Sequence, residues 1–344
     1  MKVDNVVVTG CMGFIGYHVC KRLLDDGYNV IGIDKSYSEI YKLLFKEIWF
    51  EDEEPVVERI KKARISNLKE YNNFKFINKC ISDYSIWDDI PRMFKVVHLA
   101  ARAGIPQSIV NPYIFEKDNI LCTTEFLKNM SYNDVYVPNI VYASTSSVYG
   151  GDDSNSYDGS IETDELKPLN TYALTKMYNE KQFELFSERN SITTVGLRFF
   201  TVYGQYGRTD MSIYKWTNAI YNNEKVILNN NGDMYRDYTH VNDIVNGIIL
   251  SLDVDRQNNN VIFNLGTGRT VKIHDVVNMI EKNLNMKADI EYQPYPTGEV
   301  YKSLANINKA KTELGYKPTM KMEDGIKDYV KWFTKFFMKR KKHG

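Results

Sequence analysis

Short runs of apolar and β-branched residues alternate with amphipathic stretches through the first half of the chain. Such runs predict strands at Asn5 to Thr9, Asn29 to Asp34, Phe74 to Asn78, Lys95 to Ala100, Asn139 to Ala143 and Thr193 to Arg198. The runs are almost continuously apolar, which is typical of parallel strands that helices cover on both faces. The pattern therefore predicts an α/β fold with a doubly wound parallel sheet.

Charge and cysteine usage narrow the class of protein. The 344 residues include 44 Lys and Arg and 44 Asp and Glu, a balance that argues against a nucleic-acid partner. We expect no signal peptide and no membrane association, because the start lacks a basic segment before an apolar one and no apolar run is long enough to cross a membrane. The four cysteines form no CxxC pair and the five histidines are scattered. We therefore expect reduced thiols, a cytoplasmic location and no metal site.

The segment "VVVTGCMGFIG" places Gly10, Gly13 and Gly16 directly after the first strand and at the start of a helix. In a Rossmann domain these glycines make the tight turn, let the backbone approach a pyrophosphate and allow close helix–strand contact. Asp34 ends the second strand, where a carboxylate accepts hydrogen bonds from the adenosine ribose and repels a 2′-phosphate. The pattern predicts NAD as the cofactor, and the adjacent Lys35 weakens the preference over NADP.

Beyond Arg198 the pattern is irregular, with turns such as "NNNGD" and a final amphipathic helix, "EDGIKDYVKWFTKFF". We expect residues 1–200, with 239–266 returning to them, to form the NAD-binding Rossmann domain. Residues 201–238 and 267–344 then form a smaller, discontinuous substrate-binding lobe. The long stretch between Asp34 and Phe74 contains an acidic patch, "FEDEEP", which we interpret as a surface insertion.

A hydroxyl-rich segment, "STSSVYG", follows the fifth predicted strand, and a Tyr–Lys pair lies downstream in "NTYALTK". Tyr172 and Lys176 are four residues apart, which places both on one face of a helix. A free tyrosine is a poor base near neutral pH, but a nearby ammonium stabilises the phenolate and lowers its pKa. The pattern predicts Tyr172 as a general base, with Thr145 and Ser146 orienting a substrate oxygen beside it.

Several motifs together resemble one known family. "TGCMGFIG", "HLAARAG", "STSSVYG", the Tyr–Lys pair and "RDYTHVNDI" are similar to the extended short-chain dehydrogenase/reductase family of nucleotide-sugar epimerases and dehydratases. The resemblance runs from Val6 to about Phe333. Within the family, "RFFTVYGQYGRTDM" and "KKARISNLKEYNNFKF" are most similar to UDP-glucuronate 4-epimerases.

The resemblance implies a catalytic trio of Thr145, Tyr172 and Lys176. Tyr172 would take the proton of the sugar's 4-hydroxyl while C4 gives hydride to NAD. The 4-keto sugar would then rotate and take the hydride back on its other face. The expected NAD contacts are Gly10, Gly13, Phe14, Ile15, Gly16, Asp34, Lys35, Ile81, Leu99, Ala100, Ala101, Asn119, Ser144, Tyr172 and Lys176.

The resemblance also implies a UDP-sugar site, with UDP-glucuronate the favoured substrate. The expected contacts are Ser146, Ser147, Thr201, Arg208, Arg236 and Glu299. Dehydratases of the family carry an Asp–Glu pair in the hydroxyl-rich loop, and decarboxylases carry Glu where this chain has Ser147. Their absence favours epimerisation. Arg208 would hold the sugar carboxylate through two hydrogen bonds, unless it is a loop residue paired with Asp210.

The sequence departs from the family pattern at several positions, and these departures leave other substrates possible. Cys80 replaces an Asp near the adenine, Pro106 and Gln107 replace Arg and an aromatic residue, Glu299 replaces Asp, and Cys122 replaces Gly. The alternatives are a 4-epimerase of a neutral UDP-sugar or an N-acetylated uronate, a UDP-glucuronate decarboxylase, and a catalytically silent NAD-binding protein. Relatives pair through two helices, so we expect a homodimer built on the helix of Tyr172 and the helix near Asn111 to Met130.

Overall fold

The computed structural model describes residues 4–35, 55–151, 158–254, 259–295 and 300–338. The strands are β1 (Asn5–Thr9), β2 (Asn29–Asp34), β3 (Phe74–Asn78), β4 (Lys95–His98), β5 (Asn139–Thr145), β6 (Thr193–Phe199), β7 (Thr201–Tyr203), β8 (Lys225–Asn229), β9 (Tyr235–Arg236), β10 (Tyr238–His240), β11 (Asn260–Leu265), β12 (Val271–Lys272), β13 (Asp289–Gln293) and β14 (Lys302–Ser303).

The α-helices are α1 (Phe14–Asp25), α2 (Val56–Leu68), α3 (Ile105–Val110), α4 (Pro112–Phe115), α5 (Cys122–Tyr132), α6 (Thr171–Asn190), α7 (Ser212–Asn222), α8 (Val241–Ser251), α9 (Ile273–Leu284), α10 (Asn308–Leu314) and α11 (Met322–Met338). A π-helical turn covers Glu116–Leu121, and 3-10 turns cover Tyr84–Asp89, Ser146–Tyr149 and Asn230–Gly232.

The central feature is a seven-stranded sheet with the order β11-β6-β5-β4-β1-β2-β3. β1 pairs in parallel with both β2 and β4, and the pairs β2–β3 and β4–β5 are parallel as well. Val6, Val7 and Val8 of β1 are completely buried, as expected for a strand that is covered on both faces. This order is that of a doubly wound Rossmann sheet with one further strand, so the predicted fold class is confirmed.

Beyond residue 35, the stretch between β2 and β3 is described only from Pro55 onward. The rest of the acidic patch, interpreted above as a surface insertion, lies outside the described residues. The part that follows is the helix α2, whose Ile60 and Leu68 are buried. Arg64 is also buried, and its Nη1 donates to the backbone oxygen of Met12 at 2.6 Å. The described part of the stretch is therefore a packed crossover helix, and the surface insertion at the acidic patch stays a prediction.

The chain forms two compact units that are interleaved along the sequence. One unit contains residues 1–143, 174–196 and 251–261, and the other contains 144–173, 197–250 and 262–344. The sheet strands β5, β6 and β11 and the helix α6 run through the boundaries between these ranges.

Within the second unit, short strands and three amphipathic helices form their own core. β8 pairs in parallel with β13, and β9 lies between β12 and β14. The helices α7, α9 and α11 pack together, with Ile213, Ile280 and Phe333 buried at 3% exposure or less. The predicted final helix is confirmed and extends one residue further at each end.

Candidate functional site

The glycine turn after β1 leaves no room for side chains. Gly10 has a φ of +74°, and a Cβ there would lie 2.7 Å from the backbone nitrogen of Ala100. A Cβ on Gly16 would lie 2.1 Å from the backbone oxygen of Gly10. The helix α1 begins at Phe14, directly after Gly13, so its first amides and its positive dipole end face the turn. The geometry suits a dinucleotide pyrophosphate.

Asp34 is attached to this turn. Its Oδ2 accepts a hydrogen bond from the backbone N–H of Met12 at 2.8 Å. Burial raises the pKa of the Asp34 carboxyl to about 6, although the Met12 amide and the nearby Lys61 and Arg64 oppose the shift. The carboxylate therefore lies beside the glycine turn, where an adenosine ribose would present its hydroxyls.

Lys35 is held by an ion pair that sequence analysis missed. Its Nζ lies 2.8 Å from Oδ1 of Asp118, and Nε and Nη2 of Arg102 donate to Oδ2 of the same carboxylate at 2.9 and 2.7 Å. The side chain of Asp118 is only 6% exposed. The acid and its partner Lys35 are 83 residues apart, so no local pattern indicates the pair.

Asn119 holds the loop after β4. Its Oδ1 accepts from the backbone N–H of Arg102 at 2.6 Å, and its Nδ2 donates to the Arg102 carbonyl oxygen at 3.0 Å and to Oγ1 of Thr175 at 2.9 Å. Leu99 and Ala100 of the same loop donate their backbone N–H groups to Oγ1 of Thr9, at the end of β1, at 3.2 and 3.1 Å. These bonds fix the backbone around the predicted cofactor contacts.

The other predicted cofactor contacts in the first unit (residues 1–143, 174–196 and 251–261) differ in burial. Phe14, Ile81 and Lys176 are buried, Ile15 and Leu99 are partly buried, and Ala101 is exposed. Burial lowers the pKa of the Lys176 ammonium to about 8, although Glu180 opposes the shift. Lys176 is therefore a buried cation on helix α6, one turn after Tyr172.

The hydroxyl-rich segment forms the end of β5 and a 3-10 turn. Thr145 caps the turn, since its Oγ1 accepts from the backbone N–H of Ser147 at 3.2 Å. Oγ1 of Thr145 also donates to Oγ of Ser147 at 3.2 Å. Ser144 is buried, whereas Ser146 and Ser147 are partly exposed. Two of the four hydroxyls therefore order the turn, which explains why a buried strand ends with them.

A buried polar network that sequence analysis missed anchors the end of this turn. The hydroxyl of Tyr149 donates to Oδ1 of Asn264 at 2.7 Å. Nη1 of Arg198 donates to the Tyr149 hydroxyl oxygen at 2.8 Å and to the backbone oxygen of Glu162 at 3.1 Å. The side chains of Tyr149, Arg198 and Asn264 are each less than 10% exposed, so buried hydrogen bonds hold the end of the turn in place.

The Tyr172 phenol makes a hydrogen bond with Thr145 and interacts electrostatically with the guanidinium of Arg208. Burial nevertheless raises the pKa of the Tyr172 phenol, and the Arg208 charge and the Thr145 bond only partly oppose it. The expected lowering of this pKa is wrong for the protein alone. The reason is that burial penalises the phenolate more strongly than its neighbours stabilise it.

Arg208 has a carboxylate partner within its own loop. Its Nε and Nη2 donate to Oδ1 and Oδ2 of Asp210 at 2.9 and 2.6 Å. Although burial favours the neutral acid, the Arg208 charge holds the pKa of the Asp210 carboxyl below its ordinary value. The pairing with Asp210 that the sequence left as an alternative is therefore present, and the guanidinium is oriented for bidentate binding of a carboxylate.

The remaining predicted substrate residues lie in short strands or outside the described residues. Nη1 of Arg236 donates to the backbone oxygens of Tyr235 and Tyr301 at 2.9 and 3.0 Å. Thr201 begins β7 and pairs with Tyr238 of β10. Glu299 lies outside the part of the chain that the structure describes.

Asp237, next to Arg236, is a structural residue that no pattern in the sequence singles out. It is completely buried, and its carboxylate accepts from the backbone amides of Thr267, Gly268 and Ala305 at 2.8, 3.0 and 3.2 Å. These bonds join three separate segments around the short strands β9 and β14. Asp237 lies inside the motif "RDYTHVNDI", whose resemblance alone gave it no role.

The described residues contain no group of three or more His, Cys, Asp or Glu that could hold a metal ion. Among the helices that the structure describes, none is long and apolar enough to cross a membrane.

Comparison with known proteins agrees with this geometry. The chain is 37% identical over 341 residues to an uncharacterized protein of Methanocaldococcus jannaschii, covering 97% of each chain. It is 33% identical over 330 residues to a UDP-glucuronate 4-epimerase of Thermodesulfobacterium geofontis, covering 95% of each.

Among solved structures, the chain is similar to the UDP-glucuronic acid 4-epimerase of Bacillus cereus in complex with UDP-glucuronic acid and NAD. The identity is 27%, the TM-score is 0.83, and the match covers 97% of this chain and 100% of the other. Residues 6–266 match the family described as the NAD dependent epimerase/dehydratase family. The predicted family is confirmed, and the chain belongs to the NAD dependent epimerase/dehydratase family.

Proposed function

We propose that this protein is an NAD-dependent 4-epimerase that interconverts UDP-glucuronate and UDP-galacturonate. The observation that carries the proposal is that the charge of Arg208 acts on the Tyr172 phenol, which also bonds to Thr145. A guanidinium suited to a carboxylate is thus close to the predicted base. The solved relative with UDP-glucuronic acid and NAD supports the same substrate and cofactor.

The residues around the glycine turn fit NAD. Gly10 and Gly16 allow the close backbone contacts that form the tight turn, and Asp34 is fixed beside this turn for the adenosine ribose. When bound, NAD accepts a hydride from C4 of the sugar and returns it. Because the Lys35 ammonium is held by Asp118, we infer that it is not directed at a 2′-phosphate and that the cofactor is NAD.

In the proposed mechanism, Tyr172 removes the proton of the 4-hydroxyl and later returns one. Thr145 orients the phenol and the substrate oxygen, and Lys176, a buried cation one helical turn away, stabilises the phenolate. Burial raises the pKa of the Tyr172 phenol, so its neighbours have to offset that penalty for the phenol to act as a base.

The hydroxyl-rich turn supports epimerisation over elimination or decarboxylation. Ser146 and Ser147 are partly exposed and carry no carboxylate. A turn without an acid or base leaves C5 and C6 of the sugar without proton transfer. Thr145 and Tyr172 alone then support oxidation and reduction at C4.

Arg208 has a second role in this proposal. Oxidation at C4 makes a β-keto acid, which loses carbon dioxide when its carboxylate aligns with the new carbonyl. A bidentate guanidinium fixes the plane of a carboxylate, and the bond to Asp210 shows that Arg208 holds such geometry. We propose that the substrate carboxylate takes a comparable place on Arg208, with Thr201, and that Arg236 binds the diphosphate.

A neutral-sugar 4-epimerase is the second candidate, and one observation favours it. Arg208 is already paired with Asp210, as it would be in an enzyme that never binds a carboxylate. Proton NMR of UDP-glucuronate incubated with the protein and NAD separates the two. We expect UDP-galacturonate to accumulate toward an equilibrium mixture, whereas no change in UDP-glucuronate together with epimerisation of UDP-glucose would establish the second candidate.

We also propose that the protein is cytoplasmic, because its four cysteines are free thiols.

We further propose a homodimer. Several apolar side chains on three helices are between 50% and 87% exposed: Ile109 and Val110 on α3, Tyr113 on α4, and Leu174 and Tyr178 on α6. Exposed apolar residues of this size often mark an interface, and the partner that we propose is a second copy of this chain. Light scattering at micromolar concentration should give the mass of a dimer, and a monomer would contradict this assembly.

A further inference from the structure

Two cysteines that are 42 residues apart in the chain lie together in the structure. Sγ of Cys80 is 3.7 Å from Sγ of Cys122. Cys80 begins a tight turn after β3, in which its carbonyl oxygen accepts from the backbone N–H of Asp83 at 3.0 Å. Cys122 is the first residue of helix α5. The two segments therefore meet through a pair of thiols.

The surroundings of Cys80 favour its thiolate. The Cys122 thiol is its main hydrogen-bond partner, and the Ser82 hydroxyl donates to its Sγ at 3.2 Å. The hydrogen bond shared with the Cys122 thiol lowers the pKa of the Cys80 thiol, burial opposes this, and Ser82 and the Lys35 charge add to the lowering. Cys80 is also partly exposed, whereas Cys122 is buried. An accessible thiolate beside a second thiol is the arrangement that reacts with oxidants.

The other two cysteines lack these features. Cys11 and Cys20 are completely buried in the described structure. Burial raises the pKa of both thiols, so neither forms a thiolate near neutral pH. Cys11 and Cys20 therefore serve as buried reference thiols within the same chain.

We propose that Cys80 and Cys122 form an oxidation site at which a peroxide converts the two thiols reversibly into a disulfide. The Cys80 thiolate attacks one peroxide oxygen, the O–O bond breaks, and hydroxide leaves, which gives a sulfenic acid on Cys80. The Cys122 sulfur then attacks the Cys80 sulfur, the S–O bond breaks, and the thiol proton and the hydroxide leave as water. Overall, two thiols lose two electrons and two protons while one peroxide is reduced to two waters.

The geometry allows this bond after a small movement. A disulfide has a sulfur–sulfur distance of about 2.05 Å, so the two Sγ atoms must approach each other from their present 3.7 Å. A rotation about the Cα–Cβ bond moves a cysteine sulfur by more than that difference. The pair lies close to Lys35, which follows Asp34, and so beside the residues proposed for the adenosine end of NAD.

The test uses the full-length protein, reduced and then exposed to about one equivalent of hydrogen peroxide before alkylation of its remaining thiols under denaturing conditions. Peptide mass spectrometry should find Cys80 linked to Cys122, with Cys11 and Cys20 alkylated. Dithiothreitol should restore four alkylated thiols. A Cys80 that is oxidised no faster than Cys11 and Cys20, or that links two chains instead of pairing with Cys122, would overturn the proposal.

Two variants separate the roles of the sulfurs. In Cys122→Ser, the sulfenic acid on Cys80 has no partner thiol and should be trapped by dimedone. In Cys80→Ser, Cys122 should resist the same dose of peroxide. It is buried, and the variant lacks the Cys80 thiolate that would react with peroxide first. If Cys122 reacted with peroxide equally fast in the unmutated protein and in Cys80→Ser, Cys80 would not be the attacking thiol.

Discussion

Nζ of Lys35 lies 2.8 Å from Oδ1 of the buried Asp118. Although burial disfavours the ammonium, Asp118 holds the pKa of Lys35 above its ordinary value. Lys35 is thus held by Asp118, which also binds Arg102, while Oδ2 of Asp34 accepts from the Met12 amide. We therefore propose that Asp34, and not Lys35, selects the cofactor.

A pair of substitutions tests this assignment. Asp34→Ala should weaken NAD binding by about tenfold or more, equivalent to about 1.4 kcal/mol, and relax discrimination against NADP. Lys35→Ala should change the ratio of the two affinities by less than about threefold, because the Lys35 ammonium is held by Asp118. Calorimetric titration with each cofactor measures both. Equal affinity of the unmutated protein for NAD and NADP would be inconsistent with the role of Asp34.

Removal of the proposed base should stop turnover without loss of binding. Tyr172→Phe deletes one hydroxyl and should lower kcat by at least about a hundredfold, the range typical of general acid–base groups. Tyr178→Phe is the matched control, since it makes the same change on a half-exposed side chain of the same helix. Steady-state kinetics should show the loss in the first variant alone. A Tyr172→Phe enzyme that keeps a tenth of the rate would exclude Tyr172 as the base.

The pH profile of turnover should report the environment of Tyr172. Burial raises the pKa of this phenol and the base acts when deprotonated, so kcat/KM should rise with pH along an acidic limb. Thr145→Val removes a bond that lowers this pKa and should move the limb to higher pH, whereas Thr145→Ser keeps the hydroxyl and should leave it in place. A limb that stays at the same pH in Thr145→Val would show that the bond does not tune the base.

Arg208 should decide between epimerisation and loss of carbon dioxide. Arg208→Ala should weaken UDP-glucuronate binding by about 2 to 5 kcal/mol, and its residual product should shift toward the decarboxylated 4-keto pentose. Arg208→Lys keeps the charge without the planar fork, so it should bind better than the Ala variant yet still release some carbon dioxide. Mass spectrometry of the products distinguishes these outcomes. An Arg208→Ala variant with unchanged affinity for UDP-glucuronate would rule out a carboxylate-binding role.

The fold could be predicted where the sequence pattern is local. The first three strands begin and end at the predicted residues, because turns or polar residues bound each apolar run. β5 extends two residues further, to Thr145, because strand pairing and turn capping accept hydroxyl side chains. Helix α2 was missed because its many Lys and Arg residues hide the few buried positions, such as Ile60 and Leu68.

Side-chain relationships between distant segments could not be predicted. The Lys35–Asp118 pair and the contact between Cys80 and Cys122 join residues 83 and 42 positions apart. Likewise, the Tyr172 pKa depends on burial by the folded chain, which the Tyr–Lys spacing does not encode. The sequence could predict which residue types the chemistry needs, but charge balance and desolvation arise only after folding.

Substrate preference tests the central claim most directly. The ratio of kcat/KM for UDP-glucuronate to kcat/KM for UDP-glucose should be measured for the unmutated protein under identical conditions. If Arg208 binds the sugar carboxylate, we expect a preference for UDP-glucuronate of at least about thirtyfold, equivalent to the 2 kcal/mol lower bound for a charged pair. Faster turnover of UDP-glucose than of UDP-glucuronate would contradict the account and identify a neutral-sugar epimerase.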